Sequence, residues 1–498
     1  MKAHFELKNI LQSIDGNKYE SYKSIEGEYL FNDYTLFIDE VMENQSCRAR
    51  VVVSQEVALF PDDTYKNRSR EIALRDFITR KFYEGCGSEN VRIQNPGQEI
   101  LERTSCLIDS SSVEIRFTIN LPTIENKVDG TDAENILFRE LSKIIESTAI
   151  YENVEKEALY KHIETNEDAD FLRAELENLR LIVFVAEGSI LQRDDQNEGP
   201  NTECMPFSSP PNLKMDIELP NSGQITGMGI PRGITYIVGE GKSGKSTLLN
   251  AISQGIYNHI PGDGREFSVS NPNSVKIDIE NGRNVECVDL SAFLQDSKNS
   301  SCYSTESADA SVSEAANIVE AVEIGADVLL VDQECADLYI DKARSLFTDY
   351  MVSTILAAEE LDDHIDSANF IIRMNDYKAE EMAADKKIES INYSSIGHIA
   401  ERIPLVESID VSNLDLDSIE QLVSKSQITA IRDTIEYAKK YMDGKKSLRQ
   451  LSSLVMLDLG RSGLDVLNPE LSGEYAEFRK IELVAAINRL KTLKVEQK

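Results

Sequence analysis

The residues from 239 to 247 have the types and spacing of a loop that binds phosphate. Gly239, Gly244, Lys245 and Ser246 fit the pattern G-x-x-x-x-G-K-S. Glycine permits tight backbone geometry, so successive N–H groups and the start of the next helix can face phosphate oxygens. The lysine ammonium suits the β- and γ-phosphates, and the serine hydroxyl suits Mg²⁺. The pattern therefore predicts ATP and Mg²⁺ as cofactors.

The predicted nucleotide-binding residues of this loop are Gly239, Gly241, Ser243, Gly244, Lys245, Ser246 and Thr247. The threonine is expected to make a further phosphate contact in the first helical turn.

An acidic residue at the end of another buried strand is the second part that this chemistry needs. The apolar run Val328–Val331 ends in Asp332, which we expect to hold the metal together with Ser246. The next residue commonly orients or deprotonates water, but here it is Gln333, which cannot accept a proton. Losing a general base typically costs about 10² to 10⁴ in rate. Glu334 would face the opposite side of a strand, so slow or absent hydrolysis is predicted.

The elements that must position these residues follow from hydrophobic periodicity. An apolar strand, Ile234–Val238, leads into the loop and a helix over 245–257 leaves it. The further predictions for this region are a strand over 181–186, a hairpin over 214–228, a helix over 311–324, and strands over 328–331, 353–357 and 370–373. This alternation predicts a parallel sheet with packed helices.

Three domains are predicted. Residues 1–168 mix strand and helix patterns and form an α+β domain, and residues 169–402 form an α/β P-loop NTPase core. Residues 403–498 form a small helical domain, with helical patterns near 418–426, 429–442, 447–458 and 475–495.

Composition limits the partners and the compartment. The chain has 498 residues and a formal charge of −35, which opposes attraction to nucleic acid or anionic lipid. Neither a membrane span nor a secretory signal is evident, so we expect a cytoplasmic protein, with nucleus and organelle left open. The seven cysteines are scattered without a CxxC pair and are expected to be reduced. Two basic stretches, 66–81 and 439–449, are interpreted as solvated helix faces.

The chain resembles the predicted ATPases of the ABC class, a family with an N-terminal α+β domain, a central ABC-like P-loop domain and a C-terminal helical domain. The runs that carry the resemblance are SIDG at 13–16, YTLFID at 34–39, NRSR at 67–70, PGQE at 96–99, LERTS at 101–105, TGMGIP at 226–231, YNHIPGDGRE at 257–266 and ENGR at 280–283. These runs follow one another between residues 13 and 283, and the resemblance covers essentially the whole chain.

The resemblance also implies a signature-like segment over 304–317, which in ABC proteins contacts the γ-phosphate of ATP bound to the opposite subunit. It thereby implies a head-to-tail homodimer and adds Ser311 to the nucleotide-binding residues. The chain departs from the family here, because Ala310 replaces a glycine and Glu314 a glutamine. The run after Asp332 and the segment 359–363 depart as well. The phosphate grip is thus retained while the parts that turn binding into hydrolysis are altered, as in a divergent member.

Three functions follow as alternatives. The preferred one is an ATP-binding protein of the ABC ATPase class, a pseudo-ATPase that uses ATP to stabilise a dimer. The second is an active ATPase that uses Glu334 or a residue of 359–363 as base. The third is an RNA-binding accessory factor, which the net charge disfavours. Transport is not expected, because no membrane segment is evident.

Overall fold

The computed structural model describes residues 2–43, 46–87, 90–194, 199–294, 300–332, 336–359, 368–382, 396, 398–412 and 414–497. Contacts divide the chain into two compact units. The first is Met1–Glu167 with Leu464–Glu477, and the second is Asp168–Gly463 with Phe478–Lys498. Each unit buries its own hydrophobic clusters.

The first unit is built on a seven-stranded sheet. Its two longest strands, Ser46–Ser54 and Ser112–Asn120, pair antiparallel along their whole length. Every second residue of Ser46–Ser54 is buried, which is the alternation of a strand with one face on the core. The other five strands of this sheet are Lys2–Ala3, Gly27–Leu30, Thr35–Val41, Val91–Arg92 and Cys106–Ile108. The strands of this unit outside the sheet are Glu99–Ile100, Thr123–Ile124 and Lys127–Val128. The helices are His4–Ile14, Gln55–Ala58, Arg68–Gly85, Gly130–Asn135, Leu141–Thr148 and the first part of Lys156–Asn178.

A buried polar network in the first unit includes residues of the runs at 96–99 and 101–105. The carboxylate of Asp76 accepts from Arg80 Nε at 2.6 Å and lies 3.1 Å from His162 Nε2. Arg103 is buried, and its guanidinium donates to the Pro96 carbonyl at 2.6 Å. Buried charges require partners, so this network specifies how the helix of Asp76 packs in this unit.

The segment Leu464–Glu477 belongs to the first unit although it is distant in sequence. The Arg116 guanidinium donates two hydrogen bonds to the two carboxylate oxygens of Asp465, at 2.6 and 2.9 Å. The backbone N–H of Thr104 donates to the Tyr475 carbonyl at 3.0 Å. The last part of the chain therefore contributes to the first compact unit, which the sequence does not indicate.

The second unit contains a four-stranded antiparallel sheet and a six-stranded sheet. The antiparallel sheet has the order Lys214–Leu219, Gly223–Pro231, Leu181–Ala186 and Ser268–Ser270. Its first two strands form the predicted hairpin, with Leu219 opposite Gly223. Residues 232–233 then lead from this sheet into the strand that carries the loop.

The six-stranded sheet positions the candidate site. Its order is Ser274–Ile277, Val328–Val331, Ser353–Ala358, Ile234–Val238, Phe370–Asn375 and Lys378–Met382. The first five strands pair in parallel, and the last is antiparallel. The helices of this region are Lys245–Gln254, Ala310–Ile324 and Ala336–Tyr350. This topology confirms the predicted α/β P-loop core.

The C-terminal helices are Lys425–Ala438, Leu448–Ser462 and Lys480–Asn488. The predicted helix over 418–426 is wrong, because Ser424 forms a capping box with Gln427 and starts the next helix. The last predicted helix, over 475–495, is shorter than expected and covers Lys480–Asn488. After it, Val495–Gln497 forms a strand that pairs with Arg402–Pro404.

The prediction that all cysteines are reduced is wrong for two of them. The hairpin of Val285–Val288 and Tyr303–Thr305 brings Cys287 and Cys302 together as a disulfide, with Cα atoms 4.1 Å apart. Cys47, Cys86, Cys106 and Cys204 are free thiols, and Cys335 lies outside the described residues. Strand pairing of residues 15 positions apart is a tertiary event that cysteine spacing does not reveal.

Candidate nucleotide-binding site

The loop after Ile234–Val238 has a backbone that requires glycine at two positions. All five residues of this strand are buried, which fixes where the loop begins. A Cβ on Gly239 would come within 2.3 Å of the Met374 carbonyl oxygen. Gly244 has φ +100°, and a Cβ there would lie 2.8 Å from Cδ1 of Tyr377. Both positions therefore exclude any side chain.

The lysine of the loop is held inside it. Lys245 is only 6% exposed, and its ammonium donates to the carbonyls of Gly239 at 2.5 Å and Glu240 at 3.0 Å. The Ser243 hydroxyl is buried and has no hydrogen-bond partner among the described residues. A buried donor without a partner beside a confined ammonium suits an anionic ligand that supplies acceptor oxygens. The loop therefore fits a phosphate group.

The two hydroxyl residues after the lysine lie in the first turn of helix Lys245–Gln254. Ser246 is exposed, and Thr247 is half-buried. The helix continues directly from the loop, since the Leu248 N–H donates to the Gly244 carbonyl at 3.0 Å. The N-terminus of a helix favours negative charge, so both hydroxyls lie where phosphate and its metal would be bound.

Asp332 lies two strands away from the loop in the same sheet. Strand Ser353–Ala358 separates Ile234–Val238 from Val328–Val331, with Val238 opposite Ala358 and Val331 opposite Leu356. The strands are parallel, so Asp332 and the loop lie at the same carboxyl edge. Gln333 and Glu334 lie outside the described residues.

The edge of the sheet also carries a carboxyl group that sequence reasoning missed. Asp278 follows strand Ser274–Ile277, which pairs with Val328–Val331. Burial raises the pKa of Asp278 to about 6, and the carboxylates of Glu420 and Glu280 add to this, although Lys276 opposes it. An aspartate directly after a short strand was the only signal in the sequence, and the strand itself was not predicted.

A cavity of about 670 Å³ opens beside the loop. Residues 238–243 form one wall, and the other is formed by residues at the ends of Ser353–Ala358 and Phe370–Asn375 together with Glu380 of Lys378–Met382. Those that carry charge are Glu240, Lys242, Glu359, Arg373, Asp376 and Glu380. Glu359 is exposed at the end of Ser353–Ala358, and Arg373 is opposite Val238 in register. Carboxylates outnumber basic side chains in this lining and would repel a triphosphate. Binding of a triphosphate would therefore depend on a cation that offsets this repulsion.

The signature-like segment begins a helix, Ala310–Ile324, that is capped by Asp309. The Asp309 carboxylate accepts from the Val312 N–H at 2.9 Å. Ser311 is exposed and is not among the residues that line the 670 Å³ cavity. The Ser313 hydroxyl accepts from the Glu280 N–H at 2.8 Å, and Glu314 is buried. The added carboxylate at 314 therefore lies inside the protein and not at the exposed start of the helix.

The basic stretch 66–81 is largely neutralised by internal contacts. Arg70 and Arg75 are buried, and each pairs with a carboxylate, Glu167 at 2.7 Å and Glu71 at 3.0 Å. Arg68 is exposed and pairs with Glu71 and Glu102. These guanidinium groups are used to hold the first unit together, which leaves little free positive charge for RNA on this helix.

Three family models match the chain in succession. The first, described as ATPase of the ABC class N-terminal, matches residues 4–152. The second, the P-loop domain of ABC ATPases, matches residues 155–338. The third, described as MRB1590 C-terminal domain, matches residues 406–496.

Similarity to individual proteins is limited. An uncharacterised protein of Methanocaldococcus jannaschii, MJ1628, is 35% identical over 109 residues, which are 20% of this chain and 24% of that protein. This chain thus spans about a quarter of that relative. The ADP conformation of MJ1267, an ATP-binding cassette of an ABC transporter, matches with 13% identity over 40% of this chain and 89% of that chain, at a TM-score of 0.25.

Within the described residues, we find no helix with the length and apolar character needed to cross a membrane. The two models of one class of ATPase together extend from residue 4 to residue 338 and include the phosphate loop. They agree with the sheet order and with the glycine-dependent loop between strand and helix. The chain therefore belongs to the ATPases of the ABC class, with a C-terminal domain of a separate family.

Proposed function

We propose that this protein binds ATP with Mg²⁺ in the loop formed by residues 239–247. The observation that carries this proposal is the confined Lys245 ammonium, enclosed by a loop whose glycines at 239 and 244 leave no room for a side chain. Such a loop presents N–H donors and one cation to a phosphate. Membership of the ABC-class ATPases supports a nucleotide as the ligand.

Each residue of the site has a role in this proposal. Backbone N–H groups of the loop hold the β-phosphate, and Lys245 exchanges its two carbonyl acceptors for β- and γ-phosphate oxygens. Ser246 would hold Mg²⁺ through its exposed hydroxyl, with Asp332 at the same sheet edge as the second metal residue. When bound, Mg²⁺ would neutralise charge on the terminal phosphates.

We further propose that hydrolysis is slow or absent. Gln333 stands where a carboxylate would act as base, and an amide has no such basicity. In this state ATP acts as a ligand that stabilises one conformation of the protein.

One observation favours an active ATPase as the second candidate. Glu359 is an exposed carboxylate on the strand next to the loop, and it lines the same cavity as residues 239–243. From there it could orient or deprotonate a water molecule. Glu359→Gln keeps the size of the side chain and removes its basicity. Turnover that survives in Glu359→Gln would exclude Glu359 as the base, and turnover that this variant loses would support it.

Calorimetric titration with ATP and Mg²⁺ tests the primary proposal. We expect saturable binding, and binding about 10- to 100-fold weaker in Lys245→Ala, because a charge-assisted hydrogen bond contributes about 1.5–3 kcal/mol. Lys242→Ala is the matched control, since Lys242 is exposed on the same loop. Equal affinity of wild-type protein and Lys245→Ala would contradict the proposal. Brisk phosphate release that Lys245→Ala abolishes would contradict slow hydrolysis.

We also propose a homodimer in which Ser311 of each protomer faces the ATP of its partner. Support comes from the family resemblance and from the exposed, Asp309-capped start of this helix. Light scattering should give about twice the monomer mass with ATP and Mg²⁺, and a lower mass for Lys245→Ala. A monomer at saturating ATP would exclude this arrangement.

A further inference from the structure

A second cavity, of about 280 Å³, begins at Thr247 on the helix that follows the loop. Thr247, Asn250 and Gln254 form one side, one residue from each of three successive turns. Arg193 and Glu420 belong to the other sides. The volume is close to the lower limit of small-molecule pockets, about 300 Å³.

The order of groups in the loop sets the direction in which a nucleotide would extend. Lys245 and Ser246 serve the terminal phosphates and the metal, which leaves the next helical position for the phosphate nearest to the sugar. That position is Thr247, and it opens into the 280 Å³ cavity. A nucleoside that leaves the loop past Thr247 would therefore enter this cavity, which shares no lining residue with the 670 Å³ cavity of Glu359 and Arg373.

The basic wall of the cavity is rigidly held. Arg193 donates to the Asp263 carbonyl at 2.8 Å and to its carboxylate at 2.7 Å. Asp263 is buried, and although burial opposes ionisation, His259 and Arg193 hold its pKa below the usual value. Arg265, also buried, donates to the Leu191 carbonyl. These contacts hold two guanidinium groups in the cavity wall, and that of Arg193 is paired with the Asp263 carboxylate.

The acidic wall comes from the C-terminal part of the chain. The Glu420 carbonyl accepts from Gln254 Nε2 at 3.3 Å, and its carboxylate pairs with Lys276. The adjacent Gln421 is buried and donates to the Ser253 carbonyl at 3.0 Å. The last turn of the loop's own helix thus holds the backbone around Glu420 in place. The Glu420 side chain is exposed, and its carboxylate oxygens can accept hydrogen bonds from the vicinal hydroxyls of a ribose.

We propose that the 280 Å³ cavity binds the nucleoside part of ATP, and that Glu420 recognises the ribose hydroxyls. This inference rests on the proposed function. It makes Glu420 a specificity-determining residue and makes nucleotide affinity depend on the segment around residue 420, far in sequence from the phosphate loop.

The test is titration of the full-length protein with ATP, 2′-deoxy-ATP and 3′-deoxy-ATP. Wild-type protein should bind ATP about tenfold more tightly than at least one deoxy analogue, since a hydrogen bond to a charged group contributes about 1.5 kcal/mol or more. In Glu420→Gln this preference should fall to about twofold, while binding of inorganic tripolyphosphate stays unchanged.

Two control variants separate recognition from structure. Lys276→Gln removes the ion pair but keeps the carboxylate, so it should retain the ribose preference. Glu407→Gln changes an exposed carboxylate that does not line the cavity and should behave as wild type. Absence of a ribose preference in wild-type protein, or the same preference in Glu420→Gln, would overturn the inference while leaving ATP binding intact. Failure to bind ATP and tripolyphosphate at all would overturn the proposed function as well.

Discussion

At the scale of single residues, the site depends on positions where no side chain fits. The loop encloses Lys245 because Gly239 and Gly244 let the backbone approach the Met374 carbonyl and the Tyr377 ring. The Tyr377 N–H also donates to the Ser243 carbonyl at 2.8 Å, so the turn after Phe370–Asn375 supports the loop. The phosphate-binding geometry is therefore held by a neighbouring strand as well as by the loop's own sequence.

Gly244→Ala should weaken both folding and nucleotide binding. Its φ of +100° and the contact with Tyr377 would cost about 1–3 kcal/mol of stability, and the loop would shift. Urea unfolding and ATP titration measure the two effects. Gly241→Ala is the control for stability, because nothing lies within 4 Å of its added Cβ. We expect its free energy of unfolding to change by less than about 0.5 kcal/mol. Equal stability of the two variants would contradict this explanation.

Asp278 should make stability depend on pH in an unusual direction. Its pKa rises from 3.8 to about 6 on folding, so the stabilising effect of its proton is complete below about pH 4 and is lost as pH rises through 6. The loss is roughly 3 kcal/mol. Asp278→Asn should therefore gain stability relative to wild type at pH 8 but not at pH 4, as measured by urea unfolding. A constant difference between the two proteins across this range would show that Asp278 does not carry the effect.

At the scale of elements, the arrangement of strands decides which residues meet. Strand Ser353–Ala358 lies between the strand of the loop and the strand of Asp332, and it brings Glu359 to the same edge. Hydrophobic runs predicted these strands, because buried parallel strands are continuously apolar. Their order depends on crossovers that no local pattern encodes.

The disulfide should stabilise the hairpin that precedes the signature-like segment. Cross-linking residues 15 positions apart contributes about 3 kcal/mol through the unfolded chain, so Cys302→Ser should lower stability by about that amount. Reductant should destabilise the wild type and leave the variant unchanged in thermal unfolding. Cys204→Ser, which alters a free thiol, is the control. Indifference of the wild type to reductant would contradict the role of this bond.

At the scale of the whole molecule, the net charge of −35 disfavours polyanions. In both basic stretches, 66–81 and 439–449, basic side chains form ion pairs with carboxylates of the chain. Arg80 pairs with Asp76, and Lys440 pairs with Asp458. Excess negative charge repels phosphate that lacks its cation. The phosphate loop is thus a local exception in an anionic protein.

We therefore expect weak binding of single-stranded RNA. At 150 mM salt the dissociation constant should exceed about 100 μM, the weak end of non-specific binding. Fluorescence anisotropy at several salt concentrations measures it. Tight, salt-dependent binding that Lys66→Glu weakens would favour the RNA-binding alternative. Arg70 and Arg75 are unsuitable for this test, because both are buried in ion pairs.

The sequence by itself determined the loop, the strand before it and the helix after it, because the glycine, lysine and periodicity requirements are local. It also indicated the family, because short runs typical of that family occur in the same order along this chain. The assignment of 418–426 as a helix failed, because apolar periodicity alone cannot show that Gln421 is bound by Ser253 and that Ser424 caps the following helix.

Only the tertiary structure decided which distant residues share a site. Glu420 lines the same cavity as Thr247, the segment Leu464–Glu477 belongs to the first unit, and Cys287 forms a disulfide with Cys302. No local sequence pattern indicates any of these three relations. Such contacts arise from burial of one surface against another, which depends on strand order and chain crossings. Periodicity identifies which face of an element is buried, but not the element that covers it.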